Sequence, residues 1–265
     1  MFNRKNWFKI LLLGTIAIIA LSMQASAEIR GYQKGEGFSY VLLGQYPYQE
    51  DGTPRDVLWK ITNVTQNHAT LMSMLVLEGH QAIEVTDKKI IEKHTFRRIE
   101  DYTQSDLYSY MNGEMLDTLL GDSPLRDALV QTPDGLLFPP RDSLLTDPAH
   151  GFSKSYWGKQ PSRIMKQTPY NKVVNKVYSS SNGGTTYWGS DIKNAKDVKL
   201  RIVGYDGHLS WGAYSRVNIG ICPFMVLDLS KVQVESGTGA KDDPYVFTHI
   251  DGENAPRATK DPAMQ

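Results

Sequence analysis

Aromatic residues flanked by carboxylates are the feature of this chain that points to chemistry. Tyr156-Trp157, Tyr187-Trp188, Trp211 and Tyr214 fall in its second half, accompanied by Asp191, Asp206 and His208. Flat aromatic faces stack on the C–H surfaces of sugars and on extended peptides, while nearby carboxylates and imidazoles orient the bound molecule through hydrogen bonds. Trp157, Trp188, Asp191, Asp206, His208, Trp211 and Tyr214 are therefore the candidate ligand-binding residues. The plainer alternative is that Trp188 and Trp211 fill a core beneath long loops.

Local signatures of catalysis are missing. The sequence holds no G-x-S-x-G, H-E-x-x-H, Walker A or G-x-G-x-x-G motif. Its six histidines are scattered, with no i, i+4 pair, so no metal site is expected. Asp242, Asp243 and Asp251 have carboxylates that suit Ca²⁺, but their spacing is not that of an EF-hand and reads as a solvated turn. Glu50, Asp51 and Asp56 read as an acidic turn and nothing more specific. The one cysteine, Cys222, sits in the apolar run 217–224 and reads as a buried structural thiol, not a nucleophile. Lys+Arg and Asp+Glu both number 29, so nothing in the charge balance favours nucleic acid. No cofactor is expected. The expected partner is a glycan, a peptide or an envelope protein, and the chain reads as a non-enzymatic binding module. A secreted hydrolase with Asp/Glu and His drawn from separate loops leaves no local motif and is the alternative. A structural envelope component is another.

These residues need a scaffold, and the pattern of apolar residues supplies one. Short strands are expected at 38–43, 57–64 and 69–77, at the spacing of an antiparallel meander. Helical periodicity appears at 103–120, where Leu107, Tyr110 and Met111 make an apolar stripe, Thr103 or Ser105 is the N-cap, and Gly113 is an expected interruption. A brief strand is expected at 135–138. The stretch 141–184 is loop-rich, with a short helix at 163–167. Strands return at 185–189, 198–203, 209–214 and 220–229, and a polar turn after Val234 leads into a short edge strand at 245–248. Strands, then helix, then strands give an α+β class in one compact domain with antiparallel strands and long loops, spanning 28–250 and followed by a polar, disordered tail at 251–265.

The first 27 residues have the parts of a secretory signal peptide: basic Arg4, Lys5 and Lys9, the apolar run 10–21, and Ala25-Ser26-Ala27 before the cut. The apolar run is shorter than the roughly 20 residues that span a bilayer. A secreted or periplasmic product without a membrane anchor is expected.

The order of several short motifs resembles a bacterial family, the domain of unknown function 6273. They are Leu43-Gly44-Gln45-Tyr46-Pro47, Leu58-Trp59-Lys60-Ile61, Leu71-Met72-Ser73, Ser105 through Asn112, Leu137 through Asp142, Tyr187-Trp188-Gly189-Ser190 and Gly220 through Leu227. Tyr108, Gly189 and Cys222 stand where that family carries arginine, so this chain resembles a divergent member. The resemblance implies a fold similar to C-type lectins and formylglycine-generating enzymes. The enzymes of that fold use a pair of active-site cysteines to hold copper, and with Cys222 alone that chemistry does not carry over. Processing is checked by N-terminal sequencing of the exported protein, which is expected to begin at Glu28.

Overall fold

The computed structural model describes residues 29–80, 99–194, 197–213 and 219–250. The expected signal peptide, the tail after Ile250 and candidate residue Tyr214 lie outside these residues. β1 (Ser39–Pro47), β2 (Pro54–Thr65) and β3 (His68–Ser73) form the expected antiparallel meander. Alternating apolar side chains drive it: Val57, Trp59 and Ile61 share one side of β2, and all are buried. The opposite side, with Leu58, Lys60 and Thr62, is buried as well. A strand covered on both faces needs a layer on each, and the second layer here comes from the loop-rich segment 148–168.

β4 (Leu75–Val76) and β5 (Glu78–Gly79) follow, and then the main helix α1 at 106–120. Ser105 caps α1, its hydroxyl accepting from the Tyr108 N–H at 3.1 Å. Gly113 does not break the helix; it sits in a π-helical turn, Met111–Met115. That wider turn carries Asn112, whose side-chain amide donates to the Leu137 carbonyl at 3.0 Å and whose Oδ1 accepts from the Leu136 N–H at 2.7 Å. The segment 135–138 makes only isolated bridges, among them Phe138 to Phe224.

After α2 (Asp142–Leu145), the chain forms a 3-10 turn at Pro161–Arg163, β6 (Lys166–Gln167) and α3 (Pro169–Val174). The helix expected at 163–167 is thus displaced. Pro169 fixes the first helical position and the Thr168 hydroxyl accepts from the Asn171 N–H at 3.1 Å, so the helix starts later, while Lys166 and Gln167 pair in parallel with β4.

β7 (Tyr187–Asn194), β8 (Asp197–Val203), β9 (Leu209–Ala213), β10 (Gly220–Ile221), β11 (Phe224–Asp228), β12 (Val232–Ser236) and β13 (Tyr245–His249) complete the α+β domain. One sheet has six strands in the order β11-β3-β2-β1-β13-β12, and a second has five in the order β5-β10-β7-β8-β9. Most pairs are antiparallel, with β1–β13, β7–β10 and β4–β6 parallel. β13 is interior and not an edge, because β12, in the stretch read as polar, pairs outside it. The single apolar run 220–229 divides at Cys222-Pro223 and serves both sheets.

Trp59, Leu107 and Met111 are fully buried in one hydrophobic cluster, and the Trp59 indole donates to the Leu43 carbonyl at 2.8 Å. Trp59→Ala is expected to cost about 3–5 kcal/mol, read as a lowered denaturation midpoint.

Candidate functional site

Two of the candidates, Trp211 and Asp191, gather with Tyr156 and Asp142 around one guanidinium. Arg201, on β8, is buried with its guanidinium carbon 3.7 Å from the ring centre of Trp211 and 5.7 Å from that of Tyr156. It pairs with the Asp142 carboxylate at the start of α2, and Asp191 accepts the Asp142 backbone N–H. Burial raises the Asp142 carboxyl, the Arg201 hydrogen bond opposes this, and the nearby Asp191 raises it further. Asp206 and His208 contact each other in the turn between β8 and β9. Burial alone would raise the Asp206 carboxyl, but hydrogen bonds from the His208 ring and backbone hold it below the usual range. Trp157 stands apart, 74% exposed. Trp188 is fully buried with its indole donating to the His80 carbonyl at 2.7 Å, so it is a core strut and presents no face to a ligand.

A second candidate site lies elsewhere. A cleft of about 500 Å³ opens between the second face of the six-stranded sheet and the strap 161–168. Its floor and walls include Phe38, Tyr40, Tyr48, Leu58, Ile164 and Met165. Four cationic residues line it, Arg55, Lys60, Lys166 and Lys241, against one carboxylate, Asp56. This imbalance favours an anion.

Lys60 is the unusual member. It is 5% exposed, and its ammonium sits 4.9 Å from the Phe38 ring centre and 5.2 Å from that of Phe152. The two rings supply cation–π attraction in place of a carboxylate. Burial pushes its pKa down to about 8, with a small opposing effect from Cys222. Lys60 lies between the core residues Trp59 and Ile61, and strand alternation alone places it on what reads as a solvent face. Phe38 from the segment before β1 and the folding of 148–168 over that face bury it together, which is why the sequence offers no local signal. Asp56 differs from the expected acidic turn in the same way: it is buried on β2, accepts from the Gln45 amide at 2.9 Å and lines the cleft.

The strap is held by Arg163. Its side chain is fully buried and donates through Nε to the Gly207 carbonyl at 2.7 Å and through Nη1 to those of Leu145 (2.9 Å) and Ser153 (3.1 Å). Nη2 donates to the Ser155 carbonyl. Gly207 is required for this approach, since its φ is +85° and a Cβ there would meet the Gln160 carbonyl oxygen at 2.2 Å. The inner end of the cleft is closed by Tyr46, whose hydroxyl contacts the Glu78 carboxylate. Glu78 also accepts from the Tyr110 hydroxyl at 2.7 Å and the Asn175 amide at 3.2 Å.

Cys222 is buried beside this wall, its sulfur 3.4 Å from the Ser73 hydroxyl, and burial raises its pKa to about 11. It is therefore a neutral structural thiol at ordinary pH. Set beside known proteins, the chain matches no family model, no curated protein and no solved structure.

The depressed Lys60 pKa has a definite sign in stability. Between about 8 and the ordinary lysine value near 10.4 the unfolded chain binds more protons than the folded one, so stability rises with pH. Cys222 and the buried tyrosines, raised in the folded state, oppose this from about pH 9 upward. Urea denaturation is expected to gain stability between about pH 8 and 9, by less than about 1.4 kcal/mol, and Lys60→Met is expected to lose that slope.

Proposed function

We propose that this chain is an exported binding protein that holds a small anionic ligand in the cleft over Lys60 without transforming it. One observation carries the reading: a buried ammonium on the wall of a 500 Å³ cleft, flanked by aromatic rings, with burial and not a carboxylate governing its titration. A buried charge held this way is costly, and an incoming carboxylate would repay part of the cost. Phe38, Tyr40 and Tyr48 offer apolar and stacking surface to the body of such a ligand. A sugar acid and a peptide carboxylate both have this chemistry. The signal-like N-terminus, together with a motif order that resembles the domain of unknown function 6273, supports an exported module.

Binding is favoured over hydrolysis because, among the described residues, the lining brings together no pair of carboxylates and no carboxylate with a histidine. The exposed Trp157 beside Tyr156 favours a second reading, in which this pair is a platform for a neutral glycan.

The fluorescent probe 1-anilinonaphthalene-8-sulfonate, an aromatic anion, tests the cleft. The purified, signal-free chain is expected to bind it while folded, with Lys60→Met weakening binding by about tenfold and Trp157→Ala leaving it unchanged. Loss in Trp157→Ala with retention in Lys60→Met would move the site to the exposed pair.

A further inference from the structure

We infer that Lys60 is a nucleophilic amine that captures an aldehyde or ketone ligand in the cleft as a reversible imine. The inference rests on the cleft being the binding site and names the ligand class it takes. The geometry is that of an amine set in a cavity of small-molecule size, screened from bulk water, held against two aromatic rings and, among the described residues, paired with no carboxylate. Lysines become nucleophilic in such apolar settings because the free amine, and not the ammonium, attacks. With its pKa near 8, about half of Lys60 is free amine at that pH, against less than about 1% of an ordinary lysine.

The chemistry balances without an oxidant or cofactor. The Nζ lone pair attacks the carbonyl carbon and the π electrons pass to oxygen. The proton lost from nitrogen goes to that oxygen through water, giving a carbinolamine. Loss of the hydroxyl as water forms the C=N bond. Protonated, the product is again a cation between Phe38 and Phe152, so the rings that hold the ammonium also hold the iminium. Arg55, Lys166 and Lys241 remain to attract an anionic group at the other end of the ligand. Hydrolysis returns the carbonyl compound unchanged.

The probe is 4-formylbenzoate, which joins an aromatic ring, a carboxylate and an aldehyde. The purified protein is incubated with it at pH 8 with sodium cyanoborohydride, and the modified lysines are mapped by mass spectrometry. Lys60 is expected to be labelled about tenfold above any other lysine. Its labelling rate should rise with pH to a midpoint near 8. Lys60→Arg keeps a cation there but has no free amine to condense with a carbonyl, and should lose the label. Should that variant fail to fold, the pH profile of the unaltered protein decides, and a midpoint above about 10 overturns the inference. In parallel, 4-(hydroxymethyl)benzoate, which cannot form an imine, is tested for displacing the fluorescent probe. Displacement without Lys60 labelling, or with labelling confined to the exposed Lys166 and Lys241, overturns the imine and leaves the binding site standing. Neither displacement nor labelling overturns both.

Discussion

One guanidinium organises the loop-rich half of this molecule. Loops carry backbone carbonyls that must find donors once they are buried, and without a ladder of strand or helix bonds they have few sources. Arg163 supplies donors to four of them, from Leu145, Ser153, Ser155 and Gly207. It draws the end of α2, the aromatic loop and the β8–β9 turn to a single point. A lysine has three donors on a flexible stem and could not span these directions; the planar fork can. The Arg163 carbonyl in turn accepts from the Tyr187 hydroxyl at 3.0 Å, so the same residue is tied to the five-stranded sheet. The strap that walls the cleft is rigid for this reason, although it contains little regular structure.

The two most buried cations are handled in opposite ways. Arg163 is satisfied by neutral carbonyls and contributes architecture. Lys60 is surrounded by ring faces, which give attraction without taking its protons, and so its charge is left available. Arg201 is intermediate, sandwiched by Trp211 and Tyr156 but neutralised by Asp142. The aromatic residues that look most like a ligand platform are thus partly spent on an internal cation. The cleft beyond the strap has the unspent one.

Legibility in the sequence follows the range of the interactions. The meander, the capped helix and the buried cysteine are local patterns, in which period, cap and apolar run act over a few residues, and they read correctly from β1–β3, Ser105 and Cys222. The parallel joining of β1 to β13 is not legible, because it depends on β12 closing the edge some two hundred residues later. Gly113 misleads for a different reason: a π-turn accommodates it, so a residue that reads as a break becomes a widening. Trp188 reads more readily as core than as platform, and its depth bears that out. Lys60 and Asp56 could not be identified as members of the candidate cleft by alternation, since much of what covers their face comes from 148–168, a segment with almost no periodicity. A site assembled between a regular sheet and an irregular strap hides its members among ordinary solvent-facing positions.

Two strands of chain cross between the sheets side by side. On one, β3 of the six-stranded sheet leads through Ser73 to β5 of the five-stranded sheet; on the other, β10 leads through Cys222-Pro223 to β11. They are stitched together, the Ser73 N–H donating to the Pro223 carbonyl at 3.0 Å and the Leu77 N–H to the Ile221 carbonyl at 2.9 Å. Such a double bridge opposes hinge motion, because bending it would shear buried hydrogen bonds. The sheets therefore melt as one cooperative unit, and slow amide exchange in one reports on the other. A ligand bound at the six-stranded face would stabilise the whole body, including the distant edge formed by β9.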